Sequence, residues 1–240
     1  MADSPAKRHY QRTLAAKEAA GRAPHQLMDG ASAYEQHMAI LQQDRLRLKQ
    51  VQSEQGKAEL KRQMLPQYAS YIAGVLEAGN GAADEVVTTI MVWCIDVGEY
   101  DVALHIADYV LKNGMAMPDR FARTTGCLIA EEIAEAALKA QRIGEAFDVA
   151  TLDRAAVLTE QQDMPDEVRA KLLLALARAL LANSTDDAPP PADTLEAAIG
   201  HLKRAIGLHS ACGGKKDLER AERQLKKHAA TPPDNGGASS

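Results

Sequence analysis

Aromatic side chains are scarce in this sequence: one tryptophan, two phenylalanines and six tyrosines among 240 residues. Runs of β-branched residues are nearly absent too, whereas alanine fills 44 positions. Strands favour β-branched and aromatic residues and helices favour alanine, so a large sheet is disfavoured and an all-α fold is expected. No window approaches 18 consecutive apolar residues, and no hydrophobic segment follows the basic start MADSPAKRHYQR. A membrane span and a secretion signal are therefore both disfavoured. The three cysteines, Cys94, Cys127 and Cys212, stand far apart without a C-x-x-C pair and read as reduced, buried thiols in a cytoplasm.

Several catalytic signatures are missing as well. Neither G-x-x-x-x-G-K-[ST] nor G-x-G-x-x-G occurs, so the backbone cradle that an ATPase needs for phosphates is absent. Gly213-Gly214-Lys215-Lys216 reads as a helix boundary. His201, His209 and Cys212 are spaced too widely along a helix for an unstrained zinc site, and His105 beside Asp101 and Asp108 reads as a surface ion pair; no metal is expected. A nuclease needs carboxylates converging on divalent cations. Asp84, Glu85, Glu131, Glu132 and Glu135 are the acids available, but no H-N-H arrangement occurs and the one acid-x-Lys triplet, Glu59-Leu60-Lys61, precedes every Pro-Asp pair. These acids read as helix caps and solvated faces, and the catalytic residues stay unknown.

What the sequence has in abundance is charge, unevenly placed. Residues 1–66 carry a net charge of +4, residues 67–210 carry −11 and residues 211–240 carry +2. A basic beginning and a basic last helix around an acidic middle suit a polyanionic partner. Lys7, Arg8, Arg12 and Lys17, followed by Arg45, Arg47, Lys49, Lys57, Lys61 and Arg62, form a candidate DNA-binding stripe. Lys215, Lys216, Arg220, Arg223, Lys226 and Lys227 form a second patch.

Punctuation by glycine and proline divides the chain into helices. Ser4-Pro5 starts a short basic helix that stops at Gly21, and a linker runs to Gly30. A long helix begins near Ser32, where Glu35 matches a capping box, and continues through Gly56 to Met64. Met38, Leu41, Leu48 and Val51 make a narrow apolar seam along it, the pattern of an assembly element. Beyond Pro66, denser apolar helices are expected over 67–78, 82–97, 100–113, 124–141, 148–162, 165–182, 192–210 and 214–228. Trp93, Gly98, Tyr100, Ala103 and Ala107 lie roughly as in a tetratricopeptide unit, and 198–227 resembles a second hairpin, but no fixed period joins them. The expected architecture is a basic N-terminal helical arm over 1–66, for DNA binding and oligomerisation, ahead of an irregular helical-hairpin bundle or solenoid. That bundle comprises a central domain (67–184), a Pro-rich loop (185–193), a C-terminal hairpin (194–229) and a disordered tail (230–240).

The stretch 64–125, containing EVVTTIMVWCIDVGEYDVALHIADYVLKNGMAMPDRF, together with AEEIAEAALKA (130–140) and DMPDEVRAKL (163–172), resembles the small terminase subunit of Peduovirus-type temperate tailed phages, also called the terminase endonuclease subunit. SPAKRH near the start and the Lys/Arg-rich last helix fit the same resemblance, which spans nearly the whole chain. It implies a protein of the host cytoplasm that binds the cohesive-end site on concatemeric double-stranded phage DNA. It further implies recruitment of an ATPase large subunit and assembly into a homo-oligomer, often a ring. Mg²⁺ and ATP would serve the holoenzyme, with no cofactor in this chain and cutting left to the complex. The competing expectation, from the hairpins alone, is a helical-repeat adaptor with only protein partners.

Overall fold

A computed structural model describes residues 4–118, 123–182, 184–185 and 188–230. Among them are eleven α-helices and one 3₁₀ turn, and the single β-type pairing is the isolated bridge between Leu27 and Ala83. The all-α expectation holds. Two compact units emerge, one comprising residues 1–129 and 158–163 and the other residues 130–157 and 164–240.

The first unit contains α1 (Pro5–Ala20), α2 (Ser32–Lys49), α3 (Glu54–Met64), the 3₁₀ turn Leu65–Gln67, α4 (Ala69–Ala78), α5 (Glu85–Asp96) and α6 (Tyr100–Lys112). Residues 1–66, expected as an arm, thus share a compact unit with the helices that follow. Local chemistry starts α1 as expected: Ser4 Oγ accepts from the Lys7 amide at 3.2 Å, and Pro5 takes the first helical position. Only alanines, Ala15 and Ala19, are buried along α1. They suffice because α4 presents Gly74, where a Cβ would stand 2.2 Å from the Arg12 carbonyl oxygen, so the two backbones touch without side chains between them.

Two boundaries differ from the expectation. The N-cap of α2 is Ala31, and no reciprocal capping box forms. Instead the Glu18 carboxylate, reaching from α1, accepts from the Ser32 amide (3.1 Å), the Ser32 hydroxyl (2.7 Å) and the Ala33 amide (2.9 Å), while Glu35 accepts from the Gly30 amide at 3.0 Å. The long helix also breaks over residues 50–53. Ser53 caps the new helix by accepting from the Gly56 amide at 3.2 Å, and Val51 folds so close that a Cβ on Gly56 would lie 2.9 Å from its methyl. Gly56 therefore marks a corner, not a helix interior.

α5 is the axis of this unit, with every side chain from Val86 to Ile95 buried. α2 and α3 lie on one part of it and α6 packs along it through Ala103, Leu104, Ile106, Ala107 and Val110. Trp93 meets Tyr68 edge to face at 6.2 Å.

The chain passes into the second unit within α7 (Thr125–Arg142), and α8 (Val149–Leu158), α9 (Asp166–Leu180), α10 (Ala192–Leu208) and α11 (Lys215–Ala230) follow. Ala170, Leu173, Leu174, Ala177 and Leu181 of the α9 segment close on Leu195, Ala198, Ile199, Leu202 and Ala205 of α10. Small and large residues alternate across this interface, and α11 adds Ala221. In the expected Pro-rich loop, Asp186 and Asp187 lie outside the described residues, as does 231–240 of the expected tail.

Candidate nucleic-acid interface

The ten cations of the N-terminal stripe divide into two groups. Six are engaged by acids of the chain itself. Arg12 pairs with Glu77 (2.9 Å), Arg45 with Glu85 (2.7 Å), Arg47 with Asp44 (3.0 Å), Lys57 with Glu54 (2.7 Å), Lys61 with Asp96 (2.5 Å) and Arg62 with Glu59 (2.8 Å). Arg45 also donates to the Thr89 hydroxyl at 3.0 Å and Arg62 to the Val97 carbonyl at 3.1 Å, so both fasten helices together. Arg8, Lys17 and Lys49 are exposed and make no ion pair among the described residues, and Lys7 is exposed beside Arg8. The fixed positive charge that a polyanion meets at full strength is thus concentrated on α1 and at the end of α2.

Beneath these charges lies a polar network that charge counting and apolar spacing do not reveal. The buried Asp44 carboxylate accepts from Tyr68 (2.8 Å), Gln67 (2.6 Å) and Arg47, tying α2 to the 3₁₀ turn. Burial, and then the Asp44 contact, push the Tyr68 phenol far above its ordinary value, so it stays a donor. His37 stacks on Tyr71 with ring centroids 4.3 Å apart, and its Nδ1 lies 2.7 Å from the Ala33 carbonyl oxygen. That contact assigns the proton to Nδ1, leaving Nε2 as a buried acceptor without a partner. Burial lowers the His37 pKa and keeps the ring neutral at pH 7. Tyr71 in turn donates to Asp84. A cleft of about 600 Å³ opens over this network, lined by Lys7, Arg8, Gln11, His37, Arg47 and Gln67 among others. Three cations and several amides on a concave surface can hold a phosphate backbone by charge and hydrogen bonds together.

The expected seam on α2 is divided. Leu41 is fully buried in the unit's own core, because the inward face of α2 is Tyr34, His37, Leu41 and Asp44. Met38, Leu48 and Val51 are half-buried, and Leu46, absent from the seam, is 60% exposed.

Three of the five acids considered for metal chemistry have other occupations. Asp84 is wholly buried, caps α5 by accepting from the Val87 amide at 3.0 Å, and is pushed up to about 6 by burial. Glu85 holds Arg45, and Glu135 holds Lys171 at 3.0 Å. Among the described residues no three His, Cys, Asp or Glu side chains gather as a metal site. The α11 cations stand on a helix whose partners include α10, where Lys203 pairs with Glu222 at 2.9 Å.

Comparison with known proteins adds a lineage to this geometry. The model of the family described as phage small terminase subunit matches residues 38–167. The terminase endonuclease subunit of Escherichia phage P2 is 40% identical over 223 residues, which cover 93% of this chain and 86% of that protein. The probable terminase endonuclease subunit of Haemophilus phage HP1 (strain HP1c1) is 25% identical over 178 residues, 70% of this chain and 62% of that protein. No solved structure matches.

Proposed function

This chain belongs to the phage small terminase subunit family, and from that premise we propose that it is the DNA-recognising subunit of a packaging complex. In this reading it binds the cohesive-end site of concatemeric phage DNA in the host cytoplasm, and recruits an ATPase large subunit that translocates the DNA. The observation that carries it is the cleft over His37 with Lys7, Arg8 and Arg47 on its wall, together with the exposed Lys17 of α1 and Lys49 at the end of α2. Repetition of such a face in a homo-oligomer, in which the half-buried Met38 and Leu48 and the exposed Leu46 are apolar residues of α2 open to contact, with Val51 just beyond its end, would convert weak phosphate contacts into avidity.

The relative's name assigns cutting to an endonuclease subunit. We place that activity in the complex, because Asp84, Glu85 and Glu135, three of the acids considered for metal chemistry, are committed to a cap and ion pairs. A cohesive-end cleavage assay with Mg²⁺ is expected to show cutting only when the large subunit is added. Cleavage by the purified chain, lost in Glu131→Ala, would overturn that placement.

Duplex binding by the full-length chain, titrated with salt, tests the interface. Replacing Arg8, Lys17 and Lys49 with alanine removes cations that hold nothing else in the fold. Each lost phosphate contact should flatten the slope of log K against log salt by about 0.9. An unchanged slope moves the interface elsewhere, with Lys215–Lys227 as the next region to replace. The second reading, an adaptor with only protein partners, draws on an apolar cleft of about 740 Å³ between α4 and α6, lined by Ile72, Leu76, Val102 and Ile106 among others. It prevails if the chain binds no duplex at all.

A further inference from the structure

We propose that the groove between α4 and α6 receives the end of α2 from a second copy of this chain, so that subunits join head to tail. This rests on the homo-oligomer proposed above and names the surface that α2 meets in it. Both surfaces belong to the first unit.

The groove, about 740 Å³ in volume, has Ile72, Ile90 and Ile106 buried at its base. Pro66, Ala69, Ala73, Leu76 and Val102 leave accessible apolar surface along its walls, and Val102 is 49% exposed. Its rim carries unbalanced negative charge. Arg12 and Arg62 are already held by Glu77 (2.9 Å) and Glu59 (2.8 Å), whereas Glu99 and Asp108 are exposed and hold no cation among the described residues. Free carboxylates beside an apolar wall repel a DNA backbone and favour an apolar side chain with a cation next to it.

The end of α2 presents that combination. Leu46 is 60% exposed and turned about 140° from the inward-facing Leu41. Lys49 follows one turn later on the same side, exposed and without an ion pair among the described residues. Ala39, Gln42 and Gln43 complete this exposed face with no acid among them. Arg45, next to Leu46, fastens α2 to Glu85 and Thr89 of α5, while Cys94 of α5 lines the groove. Glu85 and Cys94 are about two and a half turns apart, so they face opposite sides of α5 and α2 cannot fill its own groove. A contact between these two faces is heterologous. Each copy gives its α2 to one neighbour and receives α2 from another, which closes into a ring or propagates instead of stopping at a dimer. Lys49 then faces a neighbour, and the cleft over His37 keeps Lys7, Arg8 and Arg47 for DNA.

Light scattering of the DNA-free full-length chain over a concentration series tests this. The wild type is expected to exceed the mass of a dimer. Leu46→Asp and Val102→Asp, both at exposed positions, should each lower the mass toward a monomer with circular dichroism unchanged. An equimolar mixture of these two variants retains one intact α2 end and one intact groove, so it should form a heterodimer and grow no further. Lys49→Glu should weaken assembly at least tenfold, providing a second reading if an aspartate variant fails to fold. A wild type that stays monomeric removes the homo-oligomer itself. A wild type that stops at a dimer, an unaltered mass in either aspartate variant, or a mixture that yields no heterodimer overturns this interface alone. Loss of large-subunit binding in Val102→Asp with the mass intact also overturns it, and assigns the groove to that partner.

Discussion

Asp84 combines two duties that pull its ionisation in opposite directions. Its carboxyl caps α5 and accepts from Tyr71, which favours the charged form, but complete burial prevails and raises the pKa from 3.8 to about 6. The folded state then keeps a proton that the unfolded chain has already lost. This contribution to stability is full below pH 3.8 and disappears as pH rises through 6. His37 acts in the other sense: burial depresses its pKa, so its contribution is present above 6.5 and is lost as pH falls through the folded value. Asp84→Asn keeps an oxygen for the cap and removes the titration. The wild type's melting temperature relative to this variant should decline between pH 4 and 6, and a constant difference across that range would refute the assignment. Gly74→Ala probes sterics instead. Its methyl would enter the Arg12 carbonyl, a backbone atom that cannot rotate away, so α1 and α4 must separate. A loss of about 3 kcal/mol or more in urea denaturation is expected, in the range of severe overpacking.

At the scale of elements, helix limits were readable wherever the chain supplies its own signal. Pro5, Gly79, Gly98, Gly114, Pro165 and the Gly213-Gly214 pair all stand at real ends, because these residues act on their own backbone. The reading failed where the signal comes from elsewhere. Ser32 and Glu35 have the spacing of a box, but Glu18 arrives first with both oxygens, a competition no local window contains. Gly56 was equally ambiguous, since glycine inside a polar helical pattern reads the same whether or not a valine folds back against it. Glu18→Ala should therefore cost about 1–2 kcal/mol, as the loss of an N-cap does, while Glu35→Ala should cost less. Amide hydrogen exchange that quickens at Ser32 and Ala33 on Glu18→Ala, and not on Glu35→Ala, checks which acid is the cap.

For the molecule as a whole, the basic stripe was legible as composition but not as a surface. Arg12 and Glu77 are 65 residues apart, Arg45 and Glu85 are 40 apart, and only the fold brings them together. Charge counting assigns those arginines to a partner; packing assigns them to the protein. In the apolar seam Leu41 turns into the chain's own core, because spacing marks a face without saying whether it meets another subunit or the same chain. Leu41→Asp should consequently abolish folding, and so reports nothing about assembly. Leu46→Asp with Leu48→Asp is the informative pair: light scattering should show a lower mass with circular dichroism preserved. An unaltered mass would remove α2 from the assembly surface.

The contact between α1 and Gly74 of α4 also has a meaning in time. α1 leaves the ribosome before α4, and the groove that receives it is synthesised some 65 residues later. At ordinary translation speeds that interval is roughly 3–13 s. The face that α1 later buries is made of alanines and the rest of its surface is mostly polar and cationic, so it can wait in water without exposing a broad apolar stripe. Large apolar residues at Ala15 and Ala19 would not merely fail to fit against Gly74. They would spend those seconds as a sticky, unpartnered segment of every growing chain.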